Sequence, residues 1–138
     1  MISRRDWLVL SCALLAGCGR RRFRKLVAGD AILAVSDSLT AGFGAPKGAD
    51  YPAQLAQILG HKVINGGVSG DTSAQALARL PDLLVQKPKL VVVSIGGNDF
   101  LQRQPESGTR ENIRKMVADI RATGVPAVLV AIPHFTTG

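Results

Sequence analysis

The sequence predicts an α/β chain, a three-layer α/β/α sandwich around a parallel sheet. After residue 30, short apolar runs alternate with amphipathic stretches of helical period. The links between them are short and rich in Gly, Ser, Asn and Asp, so each strand leads into a helix and a crossover. The run Leu90 to Ile95 (LVVVSI) is apolar at nearly every position, as expected of a strand covered on both faces.

Taken in order, Ala31 to Val35 is the first strand, and it breaks at Ser36-Asp37-Ser38. Tyr51 to Leu59 is a helix with Pro52 in its first turn and Gly60 as a stop. Lys62 to Asn65 is a second, short strand. Thr72 to Gln86 is helical, capped by Asp71 or Thr72, with a kink or restart expected at Pro81. Leu90 to Ile95 is the third strand. Thr109 to Thr123 carries Ile113, Met116, Val117 and Ile120 on one stripe and ends at Gly124. Val125 to Ile132 is the fourth strand. No internal repeat interrupts the series, and the pattern is that of an open sheet of flavodoxin or Rossmann type.

A length of 138 residues bounds the chain to one domain, and 46% apolar with 20% charged residues is a globular composition. The net charge of +7 is unevenly placed. Residues 1 to 25 hold seven of the seventeen basic residues and one acid, whereas from residue 26 ten basic residues face nine acids. With no basic stripe carrying interleaved aromatics, a nucleic-acid partner is excluded.

The N-terminal segment reads as an export signal. Arg4 and Arg5 precede a ten-residue apolar core, Trp7 to Ala16, too short to span a bilayer comfortably. It runs into Leu15-Ala16-Gly17-Cys18, which resembles the lipobox of bacterial lipoproteins, with Cys18 as the lipidated thiol. Ser3 to Leu8 also resembles a twin-arginine signal. A plain signal peptide with an incidental cysteine and a spanning anchor are the alternatives. Arg20 to Lys25 would form a basic tether beside anionic headgroups. The expected division is therefore 1–25, signal and tether, and 26–138, a folded domain in the cell envelope or periplasm. Both cysteines, Cys12 and Cys18, fall in the first part, leaving the domain without disulfide or thiolate metal site.

Three loops follow three strands: Ser36-Asp37-Ser38-Leu39, Asn65 to Thr72 (NGGVSGDT), and Gly96-Gly97-Asn98-Asp99. In a parallel sheet they emerge at one edge, where such folds bind ligands. Each alone reads equally well as a turn. Phosphate binding fails in detail: no Gly-x-x-x-x-Gly-Lys-Ser/Thr occurs, and Gly42-Phe43-Gly44 lacks the third glycine of a dinucleotide fingerprint.

In this order and spacing the three loops resemble the SGNH (GDSL-type) hydrolase family. "SDSLTAGFG" is similar to its first block, "NGGVSGDTSAQALARLP" to its second, and "GGND" to its third. The likeness runs from about residue 31 to the end and is nearest the bacterial acyl-thioesterase/lysophospholipase and arylesterase branch. It implies Ser38 as the nucleophile, with oxyanion donors from the Ser38 and Gly70 backbone N–H groups and the Asn98 amide. Acyl transfer needs that combination, a hydroxyl nucleophile and donors aimed at the developing charge. Small acyl or aryl esters, thioesters or lysophospholipids are the implied substrates, and no cofactor is implied. Asp37 and Asp71 read as loop-bracing acceptors for backbone N–H groups and Asp99 as local structure. His61 reads as a solvated loop residue; His134 is a poor base, since the family's base comes from later sequence. No His, Asp and Glu cluster has metal-ligand spacing.

Two departures stand out. Ser36 occupies a position where the family usually has glycine; a positive φ there would cost about 1–2 kcal/mol. The family's Asp-x-x-His block, fifth strand and final helix have no counterpart before Gly138. The expectation is a C-terminally truncated member with Ala127 to Ile132 as an apolar edge strand. Its rival is a non-catalytic lipoprotein or binding module lacking the base.

Overall fold

The computed structural model describes residues 24–132; the signal segment with Cys18, and His134, lie outside the described residues. Four strands form one sheet: β1 (Ala31–Ser36), β2 (Lys62–Gly67), β3 (Leu90–Ser94) and β4 (Ala127–Leu129). Their order is β2-β1-β3-β4 and every pairing is parallel. The chain winds from β1 to one side and then, through β3 and β4, to the other. The reversal falls between β1 and β3, where Ser36 pairs with Ser94, and open α/β sheets gather their functional loops at such a point.

Five helices join the strands: α1 (Ser38–Ala41), α2 (Tyr51–Leu59), α3 (Ser73–Leu84), α4 (Gly97–Leu101) and α5 (Glu106–Ala122). The main core lies between the sheet and the α3–α5 pair. Leu33, Val35, Val91 and Val93 from the strands meet Ala76 and Leu80 of α3 and Met116 and Ile120 of α5, all fully buried. Truncating such a leucine to alanine costs ~2–5 kcal/mol.

Successive residues of a strand face opposite layers, and Gly66 and Gly67 show it. A Cβ on Gly66 would meet Leu33 and Leu83 in the α3 layer. One on Gly67 would run into the backbone of Thr40 and Ala41 in α1. The second glycine of "NGG" is therefore what lets α1, and the loop carrying Ser38, lie flat on β2.

The expected strands and helices are present, with changed boundaries. Thr72, rather than Asp71, caps α3 in a reciprocal box: its hydroxyl accepts from Gln75 N at 3.4 Å, and the Gln75 side chain accepts from Thr72 N at 2.9 Å. Pro81 does not restart this helix, which runs without interruption to Leu84 with Leu80 buried against the core. α5 starts at Glu106, about one turn before the expected Thr109. β4 is shorter than its apolar run, Val125 to Ile132. It is an edge strand pairing with Val91 to Val93 only, and Val130 N adds one bond to Val93 O at 2.9 Å. Val128, Leu129 and Val130 are about half exposed.

Candidate active site

The first loop begins where β1 ends. Asp37 caps α1, its buried carboxylate accepting from Leu39 N at 3.2 Å. This puts Ser38 at the first helical position, partly exposed, with its N–H in the orphan set that a helix start leaves without intrahelical partners. Among the described residues nothing hydrogen-bonds that N–H or the Ser38 hydroxyl.

Ser36 lies in regular extended backbone, so the feared strain is absent. Its hydroxyl donates to the Ser94 carbonyl of β3, using the extra side chain as a stitch across the switch point. Its own carbonyl accepts from Val68 N at 3.2 Å.

The second loop leaves β2 and turns through Gly70 at φ +84°, a left-handed conformation that a side chain would strain. Backbone geometry thus requires this glycine independently of any substrate. The Gly70 N–H has no partner among the described residues. Asp71 follows, buried, and receives Arg79 Nε of α3 at 2.6 Å. The same guanidinium donates through Nη2 to the Ser36 carbonyl at 2.9 Å. Arg79 therefore ties the first loop to the second with two charge-assisted bonds.

The third loop, after β3, starts α4. Asn98 Nδ2 donates to the Asp71 carbonyl at 2.9 Å. An amide nitrogen carries two hydrogens, so the second remains for a ligand. Gly97 brings this loop against the first: a Cβ there would sit 3.6 Å from Asp37 Oδ2. Asp99, buried, accepts from Ser73 N at 2.7 Å, Ser73 Oγ at 2.5 Å and Thr109 Oγ1 at 3.1 Å, and Asn112 donates to the same Ser73 hydroxyl at 2.9 Å. It clamps the starts of α3 and α4 together, a wider role than the local one the sequence implies.

All three loops thus meet at one sheet edge, bringing Ser38, Gly70 and Asn98 onto adjoining segments. Asp37 braces its loop through a backbone N–H as expected, whereas Asp71 does so through the Arg79 guanidinium rather than a backbone N–H. His61 does not join: it precedes β2 at the opposite edge, about 20 Å away at the rise of a six-residue strand. Among the described residues no His, Cys, Asp and Glu group could hold a metal ion. The residues sequence reasoning missed are Arg79, Ser73, Thr109 and Asn112. Arg79 had a signal: it is the only cation in α3, about two turns past Asp71 and so on the face looking back toward it. The Ser73–Asp99 contact spans 26 residues and had none.

Residues 37–138 match the GDSL-like Lipase/Acylhydrolase family. Over 111 residues the chain is 39% identical to Thioesterase 1/protease 1/lysophospholipase L1 of Escherichia coli, an alignment covering 78% of this chain and 53% of that protein. Over 126 residues it is 36% identical to Esterase TesA of Pseudomonas aeruginosa, covering 86% and 63% respectively. Among solved structures it is similar to AlinE4, an SGNH-hydrolase family esterase, with a TM-score of 0.72 at 36% identity over 76% of this chain and 60% of that one. The chain spans little more than half the length of such relatives.

Proposed function

The chain belongs to the GDSL-like lipase/acylhydrolase family, and on that premise we propose that it is a serine ester hydrolase working through an acyl-enzyme on Ser38. One observation carries the reading: the hydroxyl of Ser38 and three uncommitted donors, the N–H groups of Ser38 and Gly70 and the second N–H of Asn98, share one sheet edge. Ser38 Oγ attacks the acyl carbon, the carbonyl electron pair moves onto oxygen, and the three donors receive that oxyanion. Collapse expels the alcohol or thiol, which takes up a proton, and water repeats the sequence to release the acid. The base accepting the Ser38 proton is not among the described residues.

Leu39, Phe43, Val68 and Leu101 expose apolar surface on these loops and would contact the acyl or aryl part. Substrates are accordingly acyl or aryl esters, thioesters or lysophospholipids. In the same reading the chain is exported and anchored by lipid on Cys18.

The test is capture by a fluorophosphonate probe together with hydrolysis of p-nitrophenyl butyrate. Both are expected from the chain and neither from Ser38→Ala. Labelling and turnover that survive Ser38→Ala would falsify the assignment. The second reading, a binding protein without turnover, is favoured by the absence of an imidazole near Ser38 among the described residues. Robust labelling of Ser38 rules it out.

A further inference from the structure

A second cleft among the described residues lies away from this site. It measures about 690 Å³ and opens at the opposite edge, where the strands begin; Asp30, Lys89, Arg121, Val125 and Ala127 are among its walls. A smaller cleft of about 260 Å³ adjoins it, sharing Lys89, Thr123 and Val125 and adding Lys87. Lys62 opens β2 beside Ala31 at the same edge.

Six exposed cations thus line one edge: Arg24, Lys25, Lys62, Lys87, Lys89 and Arg121. Three acids lie near them: Asp30, bridged to Arg24 at 3.4 Å, Asp82 on the last turn of α3, and Asp119 on the last turn of α5, bridged to Lys115 at 3.0 Å. The three carboxylates of the loop network, Asp37, Asp71 and Asp99, are buried at the other edge. The domain is electrically lopsided along its strands, although from residue 26 onward ten bases nearly balance nine acids.

We propose that this basic edge is a docking surface for an anionic phospholipid bilayer, and that it turns the Ser38 edge away from that bilayer. Charge complementarity is the first argument, since clustered Lys and Arg are held by the surface potential of anionic lipids. Continuity is the second. The described chain starts on this edge at Arg24, and the sequence directly before it is the Arg20-Arg21-Arg22 run behind the apolar Trp7 to Ala16 stretch. A strand of six residues separates the edges by about 20 Å, well beyond the screening length. Under the hydrolase reading, on which this last clause rests, substrate reaches Ser38 from the aqueous side rather than from the supporting membrane.

The test is co-sedimentation of the chain with vesicles of phosphatidylcholine alone, or with about one third phosphatidylglycerol. The comparison chain carries Lys62→Gln, Lys87→Gln, Lys89→Gln and Arg121→Gln. Binding to the anionic vesicles is expected to fall ~10²-fold in that variant and to weaken with salt, while binding to neutral vesicles is unchanged. Equal anionic binding by both chains overturns the proposal, because the N-terminal run alone then suffices. Hydrogen exchange on the unsubstituted chain gives a reading that does not depend on the variant folding. Vesicles should protect residues 24–31, 86–90 and 121–127; protection of 36–43 and 97–101 instead refutes the orientation. Stronger binding to a single-stranded oligonucleotide than to vesicles at equal phosphate would reassign the edge and sink the proposal. None of these readouts needs catalysis, so failure of the hydrolase reading and failure of the docking reading are separable.

Discussion

Replacing Arg79 with methionine tests whether the two loops at the Ser38 edge are held from beneath. The substitution keeps much of the aliphatic stem and removes two charge-assisted bonds, to Asp71 Oδ2 at 2.6 Å and to the Ser36 carbonyl at 2.9 Å. It also strands the Asp71 carboxylate, whose side chain is 9% exposed against 23% for Arg79. Breaking a buried pair costs about 3–5 kcal/mol and an exposed pair about 0–1 kcal/mol. A pair with one partner almost closed to water and the other a quarter open falls between, at about 2–3 kcal/mol. For a domain of this size that corresponds to a melting-temperature loss of about 10 °C. Thermal unfolding followed by circular dichroism reads the shift, and a double-mutant cycle with Asp71→Asn isolates the pair. The double variant should recover about 1–2 kcal/mol relative to the sum of the single losses. A shift below about 2 °C for Arg79→Met, or strict additivity in the cycle, refutes the reasoning.

Further substitutions probe the other ties. Asn98→Ala removes the proposed oxyanion donor and the bond to the Asp71 carbonyl, and should lower kcat for p-nitrophenyl butyrate ~10²–10³-fold with little change in KM. Asp99→Asn sets an amide N–H₂ against the donors of Ser73 and Thr109, and is expected to cost about 2–3 kcal/mol in urea unfolding. Gly67→Ala drives a methyl to within 2.6 Å of the Thr40 carbonyl carbon and 2.8 Å of the Asp37 carbonyl oxygen, neither of which can yield cheaply. It should destabilise by ~3 kcal/mol or more, seen as loss of cooperative unfolding at ambient temperature. Ser36→Gly gives up the bond to Ser94 and should cost about 1 kcal/mol in the same measurement, leaving fluorophosphonate labelling of Ser38 intact.

Much of this fold is written locally. The strands expected at residues 31–35, 62–65 and 90–95 become β1, β2 and β3 within a residue or two, because apolar runs and β-branching favour a strand locally. The Thr72–Gln75 box starts α3 from four consecutive residues. Where a neighbour decides, local signals mislead. Val125 to Ile132 is apolar throughout, yet β4 lasts only from Ala127 to Leu129, since a parallel edge strand extends as far as its single partner pairs with it. Pro81 looks like a break but sits inside a helix held by Leu80 against the core.

At the site the same division holds. The resemblance of the three loops to the family's blocks singled out Ser38, Gly70 and Asn98 as candidates, and the strand-loop pattern implied that parallel strands deliver those loops to one edge. Tertiary structure alone decided how those loops are fixed: Arg79 reaching back to Ser36 and Asp71, Asp99 clamping Ser73, and the Ser36 hydroxyl stitched to Ser94. It also decided that scattered lysines and arginines share the opposite edge. Contacts across tens of residues depend on strand order and helix packing, which fix which distant side chains become neighbours and which charges gather on one face.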